Sequence, residues 1–460
     1  MSSPIYLTED IRRIERAAGE VTPPLMERAG SAAAELAASL ASDKKKDILV
    51  LAGPGNNGGD ARIAAARLQE RYYRVSVATR PDEIPERPWG LVIDGLFGIG
   101  LARDIDGEYA RMVEYANRQT CPVLALDIPS GLHSDTGRVM GSAVHATHTI
   151  TFIALKPGLL TLDGPDYCGD ITVADLGLPA DKPAAWVAER ELFQSVLKHR
   201  PRNFHKGLAG SVAILGGASG MTGAALLAGR AALKLGAGRV YVGMLDTALP
   251  VDPGAPELML RHADDALGLD LNTLVVGPGL GDSERAETLL GAALTSELPC
   301  VLDADALNLI SESADLRHVC ARRSAETLLT PHPAEAGRLL GTTTAAVQAD
   351  RVKAARMLGE NLNAHVVLKG NGSILVARDG HWFVNRTGNP GMASAGMGDV
   401  LAGLLGALLA QGFSGEGALV LGTHLHGAAA DELAREGTGP VGMTAGEVID
   451  VARRVWNQWL

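Results

Sequence analysis

Two aspartates sit where glycine-rich turns meet apolar segments, and each is placed to move a proton. Asp399 follows Gly388-Asn-Pro-Gly-Met-Ala-Ser-Ala-Gly-Met-Gly398 and precedes the purely apolar run Val400 to Ala410. Glycines let backbone N–H groups approach a ligand without a Cβ in the way. A helix starting near Asp399 aims its unpaired N–H groups and positive dipole end at an anion. A carboxylate at its head can accept a proton from a hydroxyl beside a phosphate site. Asp127 stands late in the apolar strand Pro122 to Pro129 and opens Asp127-Ile-Pro-Ser-Gly131. A carboxyl group closing a buried strand is a candidate acid/base.

Two further polar loops belong beside Asp127. One is Asn56-Asn-Gly-Gly-Asp60 and the other is Asp94-Gly-Leu-Phe-Gly-Ile-Gly100. Asn57, Asp94 and Ser130 offer mainly oxygen donors with little charge. Such a set suits a monovalent cation or a hydrogen-bond network better than zinc. Downstream, Asp303-Ala-Asp305 and Thr330-Pro-His-Pro-Ala-Glu335 end successive strands, and Lys369-Gly-Asn-Gly-Ser373 ends another. His332, held between two prolines at a strand end, is a candidate ligand contact. His133, His145 and His148 lack helical i, i+4 pairing and read as structural. His424 and His426, two residues apart on one helix, face different ways and make no metal pair.

The elements that must position these residues follow a βαβ rhythm. In the first half, strands are expected at Asp47–Gly53, Arg74–Arg80, Gly90–Gly98, Pro122–Pro129 and Thr147–Leu155, with a helix over Ala61–Arg71 after the asparagine-rich loop. Strands alternating with helices predict a parallel sheet covered on both faces, and ligands then lie beyond the carboxyl ends of the strands. In the second half, strands are expected at Gly210–Gly217, Arg239–Met244, Thr273–Gly277, Cys300–Asp303, Thr327–Thr330 and His365–Lys369. A helix over Met221–Leu233, N-capped by Thr222, follows the first of them, and a hairpin over Ser373–Asn385 turns at Asp379-Gly380. The charged, proline-bearing stretch Pro179–Lys206 breaks the rhythm and predicts a domain boundary near residue 200.

Composition narrows the function. Acidic residues outnumber basic ones 53 to 42, so nucleic acid is a poor partner. Phosphorylated small molecules stay in reach, because backbone N–H groups can hold phosphate. The four cysteines show no C-x-x-C spacing, which argues against a zinc site or a disulfide framework. The N-terminal residues lack a secretory pattern and no apolar run is long enough to span a membrane. A soluble cytoplasmic protein is expected, and its small-residue helices permit a homo-oligomer.

Gly55–Asp60, Asp94–Gly100 and Asp127–Gly131 together resemble the epimerase domain of the NAD(P)H-hydrate repair enzymes. Gly277–Gly281, Asp303–Leu307, Thr330–Glu335, Val367–Gly370 and Gly388–Gly403 resemble the ADP-dependent NAD(P)H-hydrate dehydratase, which is ribokinase-like. The resemblance covers essentially the whole chain. It implies a three-layer αβα Rossmann-like epimerase domain over residues 1–200 and a ribokinase-like α/β dehydratase domain over residues 201–460. It implies repair of hydrated NADH and NADPH: epimerisation of the R and S forms, then dehydration of the S form with ADP giving AMP and phosphate. In the epimerase domain it assigns substrate binding to Asn56, Asn57, Gly58, Gly59, Asp60, Gly98, Ile99, Gly100, Leu101, Ala102, Arg103, Asp104 and Asp127. It assigns K+ to Asn57, Asp94 and Ser130, and proton transfer to Asp127. In the dehydratase domain it assigns the hydrated cofactor to Ala224, Gly279, His332 and Asp399, with Asp399 catalytic. The adenine nucleotide, with Mg2+, falls to Lys369, Gly370, Asn371, Gly372, Ser373 and Gly398. Two departures from the family's motifs stand here: Ala61-Arg62 after the first loop, and Ala395-Gly-Met-Gly-Asp399 where a further glycine is usual. A small-molecule kinase on the same fold explains the second half equally well, but not the three loops of the first.

Overall fold

Short strands with no exposed residue need cover on both faces, and this chain supplies it twice. A computed structural model describes residues 2–41, 43–179, 181–197, 199–246 and 249–460. The chain divides into two compact units, one from Ser3 to Trp186 and one in which Ser2 joins Val187–Leu460.

The sheet of the first unit runs in the spatial order Val75–Ala78, Asp47–Ala52, Trp89–Gly95, Val123–Leu126, His148–Phe152, Asp170–Ala174, and every pairing is parallel. Side chains alternate between its faces. Ile48 and Val50 pack with the helices Leu25–Leu40 and Asn56–Glu70 on one face. Leu49 and Leu51 pack with Met112 and Val113 of the helix Gly107–Asn117 on the other. The result is three layers. The chain crosses from one side of Asp47–Ala52 to the other between the Val75–Ala78 and Trp89–Gly95 strands. This reversal opens a crevice between the loops that follow Asp47–Ala52 and Trp89–Gly95, where open parallel sheets bind ligands.

The second unit repeats the logic on a larger sheet. Its parallel order is Met259–His262, Arg239–Met244, Ser211–Gly216, Thr273–Val276, Cys300–Leu302, Thr327–Leu329, His365–Leu368. The hairpin strands Ser373–Val376 and Trp382–Asn385 extend it antiparallel. The ends of Cys300–Leu302, Thr327–Leu329 and His365–Leu368 stand side by side, so Asp303, Thr330 and Lys369 meet on one edge. Behind them the helix Met397–Ala410 is buried at every position from Val400 onward. It crosses the helix Thr222–Lys234 so closely that a Cβ on Gly403 would lie 2.1 Å from the Ala228 carbonyl oxygen. Thr222 is the first residue of that helix and does not cap it; Met221 takes the cap position and no side chain bonds there. The helix begins one residue earlier than a Thr222 cap requires, which moves the threonine inside. Among the described residues no helix is long and apolar enough to cross a membrane.

Two candidate active sites

The crevice of the first unit is a cavity of about 520 Å3. Asn56, Asn57, Asp60, Gly98, Ile99, Gly100, Leu101 and Asp127 line it, joined by Arg12 and Glu15 from the helix Thr8–Ala18. Gly58, Gly59, Ala102, Arg103 and Asp104 are not among the lining residues. The asparagine-rich segment is not a loop before a helix. The helix starts at Asn56, five residues ahead of the expected Ala61. Gly58 and Gly59 serve its packing: a Cβ on Gly58 would lie 1.9 Å from the Gly53 carbonyl oxygen, and one on Gly59 would lie 2.6 Å from Met26 Sδ. Propensity argues against glycine pairs in helices, and here the close approach to the strand overrides it.

Asp127 follows the strand Val123–Leu126 with φ of 66°, a conformation uncommon for a residue with a Cβ. Outliers of this kind collect where a side chain must be aimed. Its Oδ1 accepts from Lys156 Nζ at 2.6 Å, and Lys156 is fully buried. The same ammonium donates to Thr151 Oγ1 and the Phe152 carbonyl at 2.8 and 2.7 Å. Sequence reasoning missed Lys156. Its signal was a lysine directly after an apolar strand and before Pro157-Gly158, a strand-end position on the ligand edge. Gly98 leaves open the space beside Asp127: a Cβ there would lie 3.1 Å from Asp127 Oδ2 and 3.4 Å from Asn57 Cγ.

Burial pushes the Asp60 carboxyl up to about 8, with the charges of Asp127 and Glu15 adding to the effect. Asp94 is wholly buried beneath the cavity, and desolvation raises it to about 6 against three hydrogen bonds that favour its charge. Ser130 supplies two of these, from its N at 2.8 Å and its Oγ at 2.6 Å. Asn57 is buried beside them, and neither atom of its amide has a hydrogen-bond partner among the described residues. A buried amide with no partner is costly, and an oxygen-seeking cation at its Oδ1 fits the local donor set.

In the second unit, Lys369 Nζ donates to Asp303 Oδ1 at 3.0 Å, and Thr330 Oγ1 donates to the same oxygen at 2.6 Å. Burial by itself would lower the Lys369 ammonium, but Asp303, Glu335 and Asp399 outweigh it and hold it above its usual range. Asp399 stands in the first turn of the helix Met397–Ala410. Desolvation and the charge of Asp303 raise it to about 6, with Lys369 opposing. Gly398 leaves room at this junction: a Cβ would lie 3.2 Å from Lys369 Nζ and 3.4 Å from Asp303 Oδ2. A Cβ on Gly279 would lie 3.3 Å from that of Ala224, so those two residues adjoin. Their loop is tied in through Gly281 N, which donates to Asp305 Oδ2 at 2.8 Å.

His332 has a structural duty that the sequence did not announce. It caps the helix Pro333–Leu340, its Nδ1 accepting from Ala334 N and Glu335 N, while Glu335 accepts from His332 N. Burial and the nearby Lys369 lower its imidazole below the usual range. In the Lys369–Ser373 turn, Gly370 and Gly372 have φ of 144° and 61°. Ser373 Oγ closes it on the Gly370 carbonyl at 3.0 Å, and Asn371 is exposed at its tip. Buried Arg351 donates into the same turn, to the carbonyl oxygens of Leu368 and Lys369.

Comparison with known proteins agrees with both halves. The family model for NAD(P)H-hydrate dehydratase matches residues 212–454, and that for YjeF-related protein N-termini matches residues 23–87 and 80–158. A bifunctional NAD(P)H-hydrate repair enzyme of Coxiella burnetii is 37% identical over 494 aligned positions, covering 98% of this chain and 99% of that one. An ADP-dependent (S)-NAD(P)H-hydrate dehydratase of Neisseria meningitidis is 46% identical, covering 58% of this chain and 91% of that one. Among solved structures, a Bacillus subtilis ADP/ATP-dependent NAD(P)H-hydrate dehydratase co-crystallised with ATP and Mg2+ is 28% identical with a TM-score of 0.53, covering 60% of this chain and 98% of that one. The second unit has the ribokinase-like fold. The chain belongs to the family of bifunctional NAD(P)H-hydrate repair enzymes.

Proposed function

We propose that this chain repairs hydrated NADH and NADPH at two sites. The first unit interconverts the R and S epimers at C6 of the reduced nicotinamide ring, and the second dehydrates the S epimer with ADP. The observation that carries this reading is one aimed carboxyl group on the ligand edge of each parallel sheet, Asp127 beside Lys156 and Asp399 beside Lys369.

In the epimerase cavity, Asn57 and the loop Gly98–Leu101 hold the substrate while Asp127 exchanges a proton with it. Asn57, Asp94 and Ser130 would hold K+, and the orphaned Asn57 amide supports that set. A cation there would supply a fixed positive charge for the anionic cofactor.

In the dehydratase site, Asp399 takes the proton of the C6 hydroxyl. The freed oxygen attacks the terminal phosphorus of ADP and AMP departs. The ring nitrogen then expels phosphate from C6, and loss of a proton from C5 restores the dihydronicotinamide. Phosphorylation answers a real difficulty, since hydroxide leaves poorly and phosphate leaves well. Lys369 and the N–H groups around Gly398 face the charge on the phosphoryl group, a preorganised arrangement worth several orders of magnitude in rate. Ala224, Gly279 and His332 shape the cofactor side, and Lys369–Ser373 the nucleotide side. Mg2+ would ride on the nucleotide phosphates and neutralise part of their charge.

The test starts from the R epimer alone. With ADP, the dihydronicotinamide absorbance returns fully only if both sites work. Recovery from S but never from R would remove the first activity from the proposal, and no recovery from either would remove both.

A further inference from the structure

Inverting a carbon requires chemistry on two faces, and Asp127 is one group. The same cavity holds a second buried carboxyl group in a different setting. Asp60 and Asp127 are 9% and 8% exposed. Asp127 is ion-paired with Lys156, whereas the Asp60 carboxyl has no hydrogen-bond or ion-pair partner among the described residues. The other charged groups lining the cavity are Glu15 and Arg12, and Lys156 lies beneath it. Paired carboxyl groups with opposed surroundings are how a single site provides an acid and a base at one pH.

We propose that Asp60 is the general acid of the epimerisation and Asp127 its general base. The inference rests on the epimerase reading above. Asp60, protonated, gives its proton to the C6 hydroxyl. The C6–O bond breaks, water leaves, and the ring-nitrogen lone pair becomes the second bond of an N1=C6 iminium. On the opposite face, the Asp127 carboxylate takes a proton from an incoming water as its oxygen bonds to C6 and the π electrons return to N1. One proton has passed from Asp60 to Asp127, and exchange with solvent through the open cavity resets the pair. Reaction in the other direction uses the same groups with roles reversed. The raised Asp60 carboxyl, pushed to about 8 mainly by burial, keeps the acid loaded at neutral pH.

Two measurements on the full chain decide it. The first follows wild-type epimerisation in 18O-labelled water. One solvent oxygen is expected at C6 per inversion, and inversion without oxygen uptake would overturn the proposal by pointing to ring opening. The second compares Asp60→Asn with wild type across pH. The expected result is a kcat lower by about 100-fold or more with KM nearly unchanged, as for loss of a proton donor. Wild-type kcat/KM should fall as pH rises through the Asp60 titration, and the residual activity of the variant should lose that limb. A variant with near wild-type kcat, or one that keeps the limb, would refute the assignment. Should Asp60→Asn not fold, the oxygen-uptake and wild-type pH arms still decide. A wild-type chain that never interconverts the epimers refutes the parent reading instead.

Discussion

Lys156 Nζ lies 2.6 Å from Asp127 Oδ1 and has no exposed surface of its own. The pair joins the end of the Val123–Leu126 strand to the end of the His148–Phe152 strand. It fixes the candidate base of the first site by a charge that no solvent reaches. Removing one member of a buried pair leaves the other uncompensated. Lys156→Met is therefore expected to cost about 3–5 kcal/mol of stability and to suppress epimerisation. Calorimetry should show a lowered first transition, with the dehydratase activity of the same sample retained.

Asp399 must be ionised to act as a base. Its carboxyl is raised to about 6, so dehydration kcat/KM should rise with pH through that value and then level. Asp399→Asn should remove about 100-fold or more of the dehydration rate and leave epimerisation untouched. Loss of both activities in this variant would contradict two independent sites.

Glycine positions in the two sites should respond differently to alanine. At Gly58 the added Cβ meets a backbone carbonyl oxygen at 1.9 Å, which cannot yield without moving the helix from the strand. Gly58→Ala should destabilise the first unit by about 1–3 kcal/mol, seen in its thermal unfolding. At Gly398 the nearest atom is the far end of a lysine. Gly398→Ala should leave stability nearly unchanged, displace Lys369, and raise the nucleotide KM by about tenfold, roughly the effect of one weakened charged hydrogen bond.

The buried Asn57 amide predicts a dependence of epimerisation on K+. Exchange of K+ for Li+ should slow the reaction, and titration should restore it. Asn57→Leu should be insensitive to the exchange, yet remain folded because it removes two polar atoms that have no partner among the described residues. An Asn57→Leu enzyme that still responds to K+ would place the cation elsewhere.

Asp60 also predicts a pH dependence of stability. Its folded value of about 8 is above the ordinary aspartate value of 3.8. Between these the native state binds the extra proton, so stability falls as pH rises across that window. Asp60→Asn should flatten the slope for the first unit in denaturant titrations at several pH values.

What the chain declares locally was readable without coordinates. Short apolar runs such as those in Asp47–Ala52 and Arg239–Met244 marked the strands, because a strand buried on both faces is largely apolar. The Asp379-Gly380 turn marked the hairpin, because that dipeptide accepts the required backbone angles. Parallel order then placed Asp127, Asp303, Thr330 and Lys369 at strand ends on the ligand edge. Three things needed the tertiary structure. The glycines of Asn56–Asp60 are helical, since their spacing is set by contact with Gly53 and Met26 and not by local preference. Lys156 reaches Asp127 from 29 residues away, a contact that only strand adjacency creates. Asp60 closes the glycine-rich segment Asn56–Gly59 and Asp127 closes the apolar run Val123–Leu126, and they differ in setting because Asp127 found a buried ammonium and Asp60 did not. Burial and partnership are properties of the packed molecule, and they decide which carboxyl group holds a proton and which one takes it.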